Sequence, residues 1–310
     1  MPTRTIELET YTIEPLVDAE GAFFPIQVVF PDVPKEAWEH YRARYARSFA
    51  GSDFLYTYVT CYLVRGNGRI VLVDGGIGPG PAPLFGNARG ALLDRLAARG
   101  IRSEQVDTVI LTHLHPDHVG WAAIDGRPTF PRARYVTSRT EAETFHRPDV
   151  REAMQAIVPG YLETCLDPLE RTGVLETIDG ETELAPGLRL APAPGHTPGM
   201  VRVEITDGER ALWIVADTFT HPVQVAEPDW CSAFDMIREL AVATRRATID
   251  TAARGGIALL AAHFPPRSPE RSNAMRSDGS GEAPVLSGGR RRDRSPRWWP
   301  GARARGSPRR

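Results

Sequence analysis

The run Thr112-His113-Leu114-His115-Pro116-Asp117-His118-Val119-Gly120 constrains this chain more than any other stretch. It packs three imidazoles and one carboxylate into a single short loop. Neutral imidazole nitrogen and carboxylate oxygen are the borderline and hard donors that suit Zn²⁺ and, less tightly, Mn²⁺, Fe²⁺ or Co²⁺. His113 and His115, two apart in an extended loop, can bite one ion. Asp117 and His118 lie one turn further on and can reach a second ion beside it. The β-branched run at residues 106–111 reads as a buried strand, so the donors sit at a strand's C-terminal end, where pockets of α/β proteins open.

A centre of two ions needs more donors than these four. His196 lies in Ala193-Pro194-Gly195-His196-Thr197-Pro198-Gly199, a turn locked by proline and glycine. Asp217 closes the apolar run 211–216 and His263 closes 257–262. A polar group that ends a buried apolar strand needs a partner. Three such residues are expected to converge on one edge of a sheet.

The HLHPDH motif, the GHTPG turn, Asp217 and His263, in that order and preceded by Val71-Leu72-Val73-Asp74-Gly75-Gly76, resemble the metallo-β-lactamase-fold metallohydrolases. The resemblance covers roughly residues 50 to 264. Within that family it looks most like the branch containing methyl parathion hydrolase and the acyl-homoserine lactonases. It implies an α/β (α+β) fold, a four-layer αβ/βα sandwich of two facing mixed sheets with outer helices. It also implies a first metal ion on His113, His115 and His196, a second on Asp117, His118 and His263, and Asp217 bridging both. Asp74 would lie beneath them and orient the histidine loop.

The activity this implies is hydrolysis by a hydroxide shared between two divalent ions, Zn²⁺ before Mn, Fe or Co, with Asp117 or Asp217 taking up and returning the proton. Lactones or other carboxylic esters rank first as substrates, phosphotriesters second, and β-lactams or thioesters third. The competing class is a redox or non-hydrolytic metal-binding protein of the same fold. Redox members usually carry a flavin domain or replace a ligand histidine by a carboxylate, and this sequence shows neither. It also lacks a Ser-His-Asp or Cys-His nucleophile arrangement.

Strand, turn, strand, Asp occurs twice: residues 58–64, the Asn67-Gly68 turn and 70–73 before Asp74, then 201–205, a turn at 206–209 and 211–215 before Asp217. A duplicated architecture with two facing sheets follows. Helices are expected at 88–99, 140–146, 150–158 and 234–254, and a strand at 133–137. Residues 51–264 form the catalytic domain. The lead-in, 1–50, is read as strands at 4–13 and 26–30 and a helix from Pro34 to about 47. Tyr41, Tyr45 and Phe49 share one face of that helix, as core or, with Phe23, Phe24, Phe54 and Tyr56, as a wall of the site. Phe219, His221 and Trp230 are candidate substrate contacts, while His40 and His146 read as surface residues.

The composition, 42% hydrophobic and 25% charged over 310 residues, is ordinary for a globular protein. No apolar run approaches the ~18 residues of a membrane span, and the N-terminus lacks a signal peptide's apolar core. A cytoplasmic protein with a small-molecule substrate is expected, with neither nucleic acid nor membrane as partner and a homodimer left open. Cys61, Cys165 and Cys231 are widely spaced and read as buried small hydrophobes. The character changes at residues 265–310, where 12 Arg meet 7 Pro, 6 Gly and 7 Ser, giving a net charge of +8 against −10 for the rest. This tail reads as disordered. It also reads as non-native, of the kind GC-rich coding sequence gives in a shifted frame, which puts the seating of His263 in question.

Overall fold

The computed structural model describes residues 5–266. All but the first two residues of the Arg-rich tail lie outside the described residues. Two sheets carry the architecture. In spatial order the first runs Ile6–Glu7, Tyr11–Pro25, Phe54–Gly66, Arg69–Val73, Thr108–Ile110, Arg134–Ser138 and Leu175–Ile178, with Phe49–Ala50 paired to the third of these. Its N-terminal part is antiparallel, and its last four strands are parallel to one another. The second runs Thr182–Ala185, Leu188–Pro192, Val201–Asp207, Arg210–Ile214 and Ala258–Leu260, with only the final pair parallel.

Alternation along the strands decides what packs where. Tyr62, Val64, Val71, Val73, Ile110 and Val136 face Leu190, Val201, Val203, Ile205, Leu212 and Ile214 in the core between the sheets. Their neighbours Cys61, Leu63, Leu72 and Val109 point the other way, under the helices that cover the first sheet. On the outer side of the second sheet, Trp213, Val215 and Leu259 pack with Ile249 of the helix Arg238–Gly255. Helices, sheet, sheet, helix are the four layers expected. The three cysteines are buried and free. Among the described residues no helix is long and apolar enough to cross a membrane.

Four local expectations change. The segment before residue 51 contributes a 15-residue strand, Tyr11–Pro25, paired along the length of Phe54–Gly66 with two register shifts. Residues 26–30 do not form a strand: Ile26–Val29 is a turn of helix, because Ile26, Val29 and Phe30 are the buried residues and their spacing is helical. The expected helix from Pro34 is broken into a 3₁₀ turn Lys35–Trp38, the short helix Glu39–Arg42 and a 3₁₀ turn Ala46–Ser48. The expected helix at 234–254 starts four residues later, at Arg238, and leaves Asp235 in irregular chain.

Candidate metal centre

The parallel strand Thr108–Ile110 delivers the histidine loop, and the single helical turn Pro116–Val119 presents Asp117 and His118. Asp74 ends the neighbouring strand in the left-handed region, φ 63°. Its carboxylate accepts from the Thr112 amide and hydroxyl at 2.8 Å each and from His118 Nδ1 at 2.9 Å. It therefore organises the loop from beneath, the place the resemblance implied.

The second sheet brings the remaining donors. The strand Arg210–Ile214 leads to Asp217 through Ala216, whose φ of 45° is costly for a residue with a side chain. The His196 turn is squeezed on both sides: a Cβ on Gly195 would come within 2.3 Å of the Ala241 amide, and one on Gly199 within 2.1 Å of the Glu141 amide. Glycine is obligatory there for closeness as much as for conformation.

Donor atoms of His113, His115 and His196 gather within 4.8 Å of one another, as do those of His113, His118 and Asp217, and those of Asp117, His118 and His263. His115 Nδ1 faces His196 Nε2 at 2.9 Å. Asp217 Oδ2 lies 3.0 Å from His263 Nε2 and 3.4 Å from His196 Nε2, and its Oδ1 lies 3.4 Å from His118 Nε2. Asp117 Oδ2 is 3.6 Å from His263 Nε2 and 3.8 Å from His118 Nε2. All seven expected ligands thus meet in one cluster, with Asp217 at its centre.

The hydrogen bonds behind the rings set the protons. His113 Nδ1 donates to the Thr112 hydroxyl (3.2 Å), which itself donates to Asp74, and His118 Nδ1 donates to Asp74. His196 Nδ1 donates to Asp235 (3.1 Å) and His263 Nδ1 to the Tyr58 carbonyl (2.7 Å). Four rings therefore keep Nδ1 protonated and turn Nε2 inward, the orientation that hydrogen bonds behind metal-bound histidines impose. His113 Nε2, His118 Nε2 and Asp217 Oδ1 are buried with no hydrogen-bond partner. Buried ring nitrogens and a carboxylate oxygen turned toward one another with no other partner are what divalent cations satisfy, so the residues fit such ions.

Charge follows the same geometry. Burial works against ionised Asp217, yet His263, His118 and His196 outweigh it and hold the carboxyl well below its usual range. Burial likewise opposes the charged His118, but Asp74, Asp217 and Asp117 raise it well above an ordinary histidine. Burial and the neighbouring His118 push His113 down, and burial and His196 push His115 down.

Sequence reasoning missed the buried acids that brace the site. Glu141 is fully buried and accepts from the Leu114 amide (3.0 Å), the Thr197 hydroxyl (2.7 Å) and the Gly199 amide (3.0 Å), clasping both histidine loops. Burial pushes its carboxyl up to about 7 against the pull of those bonds. The Ser138-x-x-Glu141 spacing signals only a helix start, and Ser138 does cap that helix. Asp18 accepts from the Ile77 and Leu92 amides and from Trp121 Nε1, fixing the segment under the loop.

The candidate substrate contacts are packed against other aromatic side chains. Phe219 is buried against Phe264. Trp230 packs edge-on against Trp38 and Tyr41. His221 is buried among Phe30, Trp38, Tyr45 and Phe49, and burial pushes it down to about 3, so it is neutral. Tyr41, Tyr45 and Phe49 belong to that same aromatic cluster. His40 is exposed, and His146 is held by Ala142 and Glu170 on the outer surface.

Comparison with known proteins agrees with the geometry. A probable metallo-hydrolase of Mycobacterium tuberculosis is 32% identical over 181 residues, 51% of this chain and 56% of that protein. An N-acyl homoserine lactonase of Bacillus thuringiensis is 27% identical over 160 residues, 46% of this chain and 55% of that one. The chain spans little more than half the length of these curated relatives. The crystal structure of the hydrolase AbOPH of the beta lactamase superfamily superposes with a TM-score of 0.73 at 26% identity, covering 85% of this chain and 90% of that one. Residues 56–260 match the Metallo-beta-lactamase superfamily, and the chain belongs to that family.

Proposed function

We propose that this protein is a metal-dependent hydrolase that holds two divalent ions, Zn²⁺ first, and opens lactones or other carboxylic esters. The observation that carries the reading is the convergence of seven donors from four separate loops, with four histidine rings fixed so that Nε2 faces the cluster. His113, His115 and His196 would hold one ion, Asp117, His118 and His263 the other, with Asp217 between them. Ions so held supply a nucleophile at neutral pH by acidifying a water, and they polarise the substrate's oxygen.

The chain's own residues do the rest. Asp217, kept ionised in spite of its burial, balances the positive charge at the centre. Asp117 is 14% exposed where Asp217 is 5%, which favours it as the group to accept and return a proton, Asp217 being the alternative. His115 and Pro116 share that half-open edge, while His113 and His118 are closed off from solvent. The lactone ranking is supported by the name of the Bacillus relative.

The test is turnover by the Zn²⁺-loaded chain of an N-acyl homoserine lactone, a simple aryl ester and an aryl phosphotriester, with Asp117→Ala and His115→Ala alongside. Lactone opening at the highest kcat/KM, reduced at least 10²-fold in both variants, is expected. Preference for the phosphotriester would replace the substrate class and keep the hydrolase. No turnover of any of the three by a chain holding two ions would overturn the reading.

A further inference from the structure

The helix Arg238–Gly255 carries a fully buried arginine, Arg245, whose three nitrogens all donate within one neighbourhood. Nε donates to the Thr218 carbonyl at 2.9 Å, Nη2 to Asp235 Oδ2 at 3.1 Å, and Nη1 to the carbonyls of Pro228 and Trp230 at 2.6 and 3.3 Å. Asp235 is itself fully enclosed. Its Oδ2 also accepts from the Ser232 amide at 3.0 Å, and its Oδ1 takes the Nδ1 proton of His196.

Thr218 directly follows Asp217, so a single planar guanidinium grips two donors of the centre at once. It reaches His196 through the carboxylate of Asp235, and Asp217 through the next residue's carbonyl. The same helix start presses on Gly195, and Met236 and Ile237 donate their amides to the carbonyls of His196 and Gly195 at 2.9 Å each. Burying an Arg–Asp pair gains little stability over an apolar pair of the same volume. What the pair supplies here is geometry, and lysine cannot copy a rigid fork with donors in three directions.

We propose that Arg245 and Asp235 are positioning residues of the metal centre, holding His196 and Asp217 at their 3.4 Å separation and so setting affinity for the ion these two residues share. The inference rests on the reading of the seven donors as a metal centre. Neither residue has a place in the motif pattern of the sequence.

The test uses the full chain and measures Zn²⁺ affinity by competition with a chromogenic chelator, for the parent, Asp235→Asn, Arg245→Lys and, as a control one residue along, Arg246→Lys. Among the described residues Arg246 forms an exposed ion pair with Asp229. Asp235→Asn keeps the side chain's shape and is expected to weaken one of the two ions roughly 10- to 100-fold, leaving the other close to parent. Arg245→Lys weakens the same ion at least as far, and Arg246→Lys changes neither. Parent-like affinity at both sites in Asp235→Asn overturns the proposal, as does an equal loss at both sites with a lowered melting temperature, the mark of general loosening. A parent chain that binds no Zn²⁺ overturns the metal-centre reading instead. If Arg245→Lys does not fold, Asp235→Asn decides. A second readout needs no variant: in the Co²⁺-loaded parent, the His196 Nδ1 proton should exchange slowly with solvent, and fast exchange would contradict the buried bond to Asp235.

Discussion

His263 donates from Nδ1 to the carbonyl of Tyr58, 2.7 Å away, which ties the last donor of the chain to a strand of the first sheet. The two residues before it are held by that strand as well: the Thr60 amide donates to the Ala262 carbonyl at 3.1 Å, and the Tyr62 hydroxyl to that of Ala261 at 2.9 Å. The seating of His263, in question from the sequence because of the composition that follows it, is thus set by contacts made before residue 266. Replacing His263 with Ala should lower bound Zn²⁺ from two ions per chain to one, read by plasma mass spectrometry on dialysed protein. Two ions retained would remove His263 from the centre.

Metal uptake should expel protons. Burial disfavours charge on His263, but Asp217 overrides it and raises the ring to about 9, and His118 is raised by Asp74, Asp217 and Asp117. Both rings therefore carry protons at pH 7 in the metal-free chain, and only the neutral imidazole binds an ion. Apparent Zn²⁺ affinity should rise with pH from 7 to about 9. Calorimetric titration at pH 7 in two buffers of different ionisation heat should give different apparent enthalpies. Identical heats would mean no proton is released.

His221 should give the fold an acid weakness. Its ordinary value of 6.5 falls to about 3 in the aromatic cluster. A ring with a depressed folded value contributes stability that is present above 6.5 and is lost as pH falls from 6.5 toward 3. The slope is about 1.4 kcal/mol per pH unit, an upper figure. Urea unfolding of the parent and of His221→Phe at pH 7.0 and pH 5.0 should show the parent losing more stability between the two, by about 1–2 kcal/mol. Parallel losses would mean His221 is hydrated in the native state.

Glu141→Gln would place an amide nitrogen against one of three donors, Leu114, Thr197 or Gly199, and strand a buried N–H. The expected cost is about 1–3 kcal/mol, some 2–4 °C in melting temperature per kcal/mol at this chain length. An unchanged melting curve would show that the two histidine loops hold together without it.

The donors were legible because their chemistry is written locally. Three histidines and Asp117 share one loop, Pro and Gly bracket His196, and Asp217 and His263 each end an apolar run that becomes a strand. The bracing groups were not legible. Asp235 and Arg245 lie 39 and 49 positions from His196 in sequence, and buried polar residues leave no periodic trace. The strand Tyr11–Pro25 was under-read because Glu14, Asp18 and Glu20 break its alternation. Two of these are buried, Asp18 under Trp121 and Glu14 beside Arg65 and Arg99. Residues 26–30 were misread because a short apolar run fits either period, and only the exposure of Val28 separates them.

The most direct measurement is the metal stoichiometry of the purified full chain after Zn²⁺ loading and dialysis, with Asp217→Ala measured beside it. Asp217 is the one donor that faces His118, His196 and His263 together. Two ions per parent chain, and fewer than one in Asp217→Ala, is the predicted result. A folded parent chain that retains no ion would contradict the account at its centre.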